Sequence, residues 1–98
     1  MRSEENNFDY ISKHKEICEK LNEIYKQKNR AYGNSFGETY EDLGIISAVT
    51  RISDKFNRLK TLAKNKDIPH GDESISDTLL DMANYCIMTY MEVSKNEW

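Results

Sequence analysis

The sequence predicts an all-α fold, a helical bundle of three long helices with at most one short extra helix. Apolar residues recur at three- and four-residue intervals over three long stretches, the spacing that lines one face of a helix. No alternating apolar and polar run is long enough for a strand. Three of the four glycines and the single proline fall between those stretches, where chain breaks belong.

The first helix is expected from about Phe8 to Ala31. Ile11, Ile17, Cys18, Leu21, Ile24 and Tyr25 form its apolar row, with Glu16, Lys20, Glu23 and Gln27 opposite. Tyr32-Gly33-Asn34 should stop it, since glycine readily takes the left-handed conformation that ends a helix. A loop from Gly33 to about Thr39 follows. The second helix starts near Tyr40–Asp42 and runs to about Lys64, with Gly44 weakening or bending its first turns. Leu43, Ile46, Val49, Ile52, Phe56, Leu59 and Leu62 mark its core stripe. A short extra helix fits only within Phe36–Gly44. Residues 65–72 read as a polar connector holding Pro69 and Gly71. The third helix starts near Ser74, a residue able to cap free amides, and runs to about Ser94. Its expected buried side is Ile75, Leu79, Met82, Ala83, Cys86, Ile87, Tyr90 and Met91.

A chain of 98 residues reads as a single domain spanning 1–98, with 1–7 a polar tail. A core this small gains from association, and the apolar faces of the second and third helices exceed what one neighbour can cover. A homodimer or higher homo-oligomer is therefore expected. The net charge of −3 argues against an extended nucleic-acid surface but leaves room for a local basic pocket. No apolar run reaches the length of a membrane span, and the start of the chain lacks the apolar segment of a secretory signal. Cys18 and Cys86 lie far apart with no metal-ligand spacing, so both are expected to be reduced core thiols of a cytoplasmic protein.

Chemistry concentrates in three places. On the third helix, Glu73, Asp77 and Asp81 recur every four residues, and Asn84 and Tyr85 extend that face. Stacked carboxylates suit Mg²⁺, which takes hard oxygen ligands and could grip phosphate or polarise water. The plainer reading places Glu73 and Asp77 at the positive end of a helix. Asp81, in mid-helix where Asp is a poor helix former, resists that reading. On the second helix, Arg51, Lys55 and Arg58 can hold a phosphate, with Asp54 beside them as a metal ligand; alternatively, Lys55 and Arg58 neutralise Asp77 and Asp81. In the loop Tyr32-Gly33-Asn34-Ser35-Phe36, two aromatics, an amide and a hydroxyl could stack on a base and bond its edge, or Tyr32 and Phe36 could simply pack into the core at a helix stop. Lys28 and Arg30 could reach phosphates or sit in solvent. His14 and His70 are isolated. No nucleophile triad and no phosphate-binding glycine loop is present.

Three segments taken together, Lys28-Asn29-Arg30-Ala31-Tyr32-Gly33-Asn34-Ser35-Phe36, Arg51 to Leu59 and Glu73 to Tyr85, resemble the family called nucleotide modification associated domain 1, found largely in phages and bacteria. The resemblance runs from about Ile17 to Met91 and implies a role in nucleotide metabolism or modification. A more distant similarity is to the all-α nucleoside triphosphate pyrophosphohydrolases of the MazG and dimeric dUTPase group. These use an ExxE motif and an ExxD motif to hold Mg²⁺ in an oligomeric bundle. Asp81 fits the last carboxylate of the second motif, but Thr78 stands where its Glu would be. Arg51 and Asp54 have the spacing of the first motif without both of its acids.

Two functions are expected from this. One is Mg²⁺-dependent hydrolysis of a nucleoside phosphate, with Asp54, Asp77 and Asp81 as metal ligands and Glu73 and Asp81 as catalytic groups. Lys55 and Arg58 would then stabilise phosphate charge. The other is binding without turnover, in which a phage protein in the host cytoplasm sequesters a nucleotide signal of host defence. Both take a nucleotide or nucleotide-derived small molecule as partner.

Overall fold

The computed structural model describes residues 8–65 and 74–95. Four helices follow in order: α1 (Tyr10–Tyr32), α2 (Ser35–Leu43), α3 (Ile45–Lys64) and α4 (Ile75–Ser94). The described residues contain no strand, so the fold is all-α.

Local chemistry sets each end. Asp9 caps α1, its carboxylate accepting from the Ile11 and Ser12 amides. Gly33 ends α1 at φ 69, its amide donating to the Asn29 carbonyl. The Asn34 side chain then caps α2 by accepting from the Gly37 amide. Ser74 caps α4, accepting from the Asp77 amide at 3.0 Å. The expected Gly33–Thr39 loop is thus mostly helix, and the short helix anticipated within Phe36–Gly44 exists as α2. The helix expected to run from Tyr40–Asp42 to Lys64, weakened or bent at Gly44, is divided there. At φ 78 this residue leaves the helical region, and its amide closes α2 on the Tyr40 carbonyl. Its own carbonyl accepts from the Ser47 amide and hydroxyl as α3 opens.

The cap on α1 carries a pH signature. The Ser12 hydroxyl and then the Ser12 amide hold the Asp9 carboxyl below its usual 3.8. A carboxyl depressed on folding stabilises above its unfolded value and ceases to as pH falls through the folded one. Protection of the Ser12 amide, its exchange rate taken against the intrinsic rate at the same pH, is therefore expected to fall on acidification below pH 3.8, and Asp9→Asn should abolish that response.

Helices α3 and α4 run antiparallel. Lys55 meets Asp81, and one turn earlier on α3, Arg51 meets Tyr85, one turn later on α4. Ala48 and Leu62 on α3 and Thr78 on α4 are buried along this contact. The Thr78 hydroxyl donates to the Ser74 carbonyl at 2.9 Å, so its burial orphans no polar group. Beyond these helices, Lys95 joins Glu41 of α2 at 3.0 Å.

The apolar rows are less buried than their spacing suggests. On α1, every residue from Phe8 to Lys20 is exposed, Ile11, Ile17 and Cys18 included, and only Leu21 is buried. On α3, Leu43 before it and Ile46, Val49 and Phe56 within it are exposed; on α4, so are Ile75, Leu79, Ile87 and Tyr90. Cys18 and Cys86 are exposed free thiols rather than core groups. The reason is rotational. Helices α3 and α4 turn a row carrying Arg51, Lys55, Asp81 and Tyr85 towards each other, which leaves the apolar rows beside it uncovered. The radius of gyration is 16.3 Å, whereas a compact domain of this length has about 12–13 Å.

Candidate functional site

One cleft of about 200 Å³ opens between the end of α1, the α1–α2 junction, α3 and α4. From α1 come Ile24, Tyr25, Lys28, Asn29 and Tyr32; the junction adds Gly33, Asn34, Ser35 and Phe36. Arg51 projects from α3, and Asp81, Asn84, Tyr85 and Met88 from α4. Helical geometry explains the grouping. Tyr25, Lys28, Asn29 and Tyr32 repeat at three or four residues, as do Asp81, Asn84, Tyr85 and Met88, so each set shares a face.

A long-range hydrogen bond ties the α1 wall to α4. The Asn84 carboxamide donates to the Leu21 carbonyl at 3.1 Å. Next to Asn84, Tyr85 stacks on Phe36 with centroids 6.0 Å apart and planes 22° apart. The Arg51 guanidinium carbon lies 5.9 Å from the centroid of the same Tyr85 ring. The half-buried Arg51 is thus held beside an aromatic platform. Asp81 pairs with Lys55 at 3.0 Å, both side chains less than a third exposed. With that carboxylate offset, Lys28 and Arg51 make the lining cationic. Asn29, Asn34, Asn84 and Ser35 supply neutral donors and acceptors.

Eight residues singled out from sequence converge here: Lys28, Tyr32, Asn34, Phe36, Arg51, Asp81, Asn84 and Tyr85. Lys55 touches the site through Asp81. Arg58 is half-buried further along α3, outside the lining, and Arg30 is exposed on α1, also outside it. Asp54 and Asp77 are exposed and outside the lining as well. The expectation for Glu73 lies outside the described residues.

The three-carboxylate metal set of Asp54, Asp77 and Asp81 does not assemble within the chain. Among the described residues, no group of three His, Cys, Asp or Glu is placed to hold an ion. Asp54 is one position from Lys55, which turns it about 100° away from the Asp81 partner row. Asp77 sits in the first turn of α4, where its charge complements the helix dipole. The donors in the cleft reduce to one carboxylate already in an ion pair, which does not fit a protein-built Mg²⁺ grip.

Ile24, Tyr25, Asn29 and Met88 line the cleft without having been singled out for it, whereas Ser35 belongs to the loop already read as able to bond a base. Asn29 and Met88 each lie one turn from a residue that was singled out, Tyr32 for the first and Asn84 or Tyr85 for the second. Extending each charged or aromatic face by one turn would have found them.

Gly37 gives a test of how α2 supports the cleft. A Cβ there would sit 2.5 Å from the Asn34 amide nitrogen and 2.8 Å from its oxygen, so the Asn34 side chain must move. That breaks the cap on the Gly37 amide. Gly37→Ala is expected to displace Asn34 from the lining with little net change in urea unfolding, because the roughly 1 kcal/mol lost with the cap is offset by about as much helix propensity gained inside α2. An unchanged Asn34 side-chain amide signal in NMR would count against this geometry.

A family model described as nucleotide modification associated domain 1 matches residues 28–93, from the last turn of α1 through nearly all of α4. No curated protein and no solved structure matches the chain.

Proposed function

Because the chain belongs to the nucleotide modification associated domain 1 family, we propose that the cleft binds a single nucleotide, as part of nucleotide metabolism or modification. The observation that carries this reading is the placement of Arg51 against Tyr85, itself stacked on Phe36, at the wall of a cationic cleft. A phosphate suits the Arg51 fork and Lys28. A base suits Tyr32, which is 74% exposed at the rim and free to stack, with the asparagines positioned to bond its edge. The volume of about 200 Å³ is below the roughly 300–1,000 Å³ usual for small-molecule and cofactor sites, so the cleft holds part of one nucleotide, with the rest lying over its open rim. Self-association belongs to the same reading, because so much apolar surface stays uncovered in one chain.

Binding without turnover is the form of this function that the cleft favours, since its one carboxylate is engaged by Lys55. Mg²⁺-dependent hydrolysis is the second reading. It rests on Asp81 being placed in mid-helix within the lining, where a nucleotide's own phosphates could complete the ligand set. Nucleoside mono-, di- and triphosphates, with and without Mg²⁺, separate the two. Calorimetric binding with the ligand recovered intact supports the first. Phosphate or pyrophosphate release that requires Mg²⁺ and is lost in Asp81→Ala establishes the second. No binding by any nucleotide in the panel refutes both.

A further inference from the structure

We propose that two copies of this chain pair through the uncovered side of α3 and α4, forming a four-helix layer with the two clefts on its outer faces. The pairing rests on the self-association stated above and is independent of what the cleft binds.

The face is continuous across both helices. Ala48, Leu62 and Thr78, at 1%, 2% and 0% exposure, mark where α3 and α4 touch. About 100° further round α3 run Ile45, Val49 and Phe56, 48%, 45% and 48% exposed. A similar rotation in the same sense on α4 reaches Leu79, Tyr90 and Val93, 48%, 69% and 55% exposed, with Cys86 among them. Because the helices are antiparallel, equal rotations bring the two rows to the same side of the pair. Asn84, which bonds α1, lies in the opposite sense from the contact. The cleft and the apolar face are therefore on different sides.

The pattern of this face specifies its occupant. The intervals 45, 49, 52, 56 and 79, 86, 93 are those of helix seams that interlock with another helix. A face meant for water carries charge, yet the charges of α4, Asp77, Asp81 and Glu92, all lie on its other side. On α3 only Lys60 borders the row, its ammonium 5.0 Å from the Phe56 ring. A neutral face meets its own copy without like-charge opposition and offers no charge pattern to select a different partner. The exposed apolar side chains present on the order of 600 Å² per copy, at the lower end of what a stable specific interface buries. Both rows belong to the helices that carry Arg51 and Tyr85, so pairing also braces the cleft from behind.

Sedimentation of the ligand-free protein at micromolar concentration tests this directly. The expected mass is two chains, falling to one in Leu79→Glu but not in Ile11→Glu on the exposed start of α1. A thiol assay covers the case in which Leu79→Glu fails to fold, run on His14→Ala because His14 Nδ1 lies 3.7 Å from the Cys18 sulfur and would speed that thiol by itself. Cys18 and Cys86 are both exposed in the single chain, so pairing through this face should leave Cys18 reacting with a maleimide at least about tenfold faster than Cys86. A one-chain mass, equal thiol rates, or a two-chain mass that survives in folded Leu79→Glu overturns the proposal. Because no nucleotide is present, none of these outcomes bears on the ligand.

Discussion

Arg51→Ala is expected to weaken nucleotide binding by roughly 10- to 100-fold, the worth of about one charge-assisted hydrogen bond of 1.5–3 kcal/mol, with helix content unchanged. Three features place the effect at this residue. Arg51 is half-buried in the cleft wall, so its charge is less screened than that of a surface cation. Its guanidinium lies against Tyr85, which limits its rotamers before ligand arrives. Its planar fork can hold two phosphate oxygens at once, which an ammonium cannot. Arg51→Lys should accordingly recover only part of the loss, and the wild-type affinity should fall as ionic strength rises. Arg30 is the control, exposed and outside the lining; Arg30→Ala should bind as the native chain does. Isothermal titration of the three variants decides it. Native affinity in Arg51→Ala would remove the phosphate from this part of the cleft.

The contrast between Arg51 and Asp54 shows what spacing can reveal. The all-α class and the meeting of Asp81, Asn84 and Tyr85 follow from periodicity, because residues three and four apart share a face wherever the helix goes. Linking Asp54 with the Asp77 and Asp81 carboxylates requires knowing how α3 and α4 rotate towards each other, and periodicity is silent on rotation. The same silence explains the apolar rows. Val49, Phe56 and Leu79 do share faces as their spacing says, but a row fit for burial need not be buried by its own chain. A hydrophobic row left exposed in one copy and a polar row turned inward are two consequences of one rotation. The Gly44 break is only half legible, for a different reason. Tyr40 to Lys64 has nearly continuous helical patterning, and a glycine near one end reads as a weak spot until the backbone shows it to be a stop.

That stop makes Gly44→Ala the substitution expected to cost the fold most, about 1–3 kcal/mol, the usual penalty for a side chain held in a region that glycine alone populates. Gly44 has φ 78 and ψ −169. A Cβ at this position would meet no atom within 4 Å, so the cost is backbone strain and not collision. The chain has one way to relieve it, by winding Gly44 into a helical conformation and fusing α2 with α3. Fusion would swing α2 away and carry Phe36 off the Tyr85 ring, so strain relief would dismantle the platform beside Arg51. Gly44→Ala should thus lower the urea midpoint where the corner is kept, and weaken nucleotide binding where α2 and α3 fuse. Asparagine discriminates this geometry from an ordinary helix stop. Asn tolerates the left-handed helical region near ψ of about +47°, but not the extended ψ found here. Gly44→Asn should therefore be about as costly as Gly44→Ala. Rescue by asparagine would mean that the α2–α3 corner turns through a conventional left-handed cap, and the relation of Phe36 to Tyr85 would have to be rebuilt on that basis.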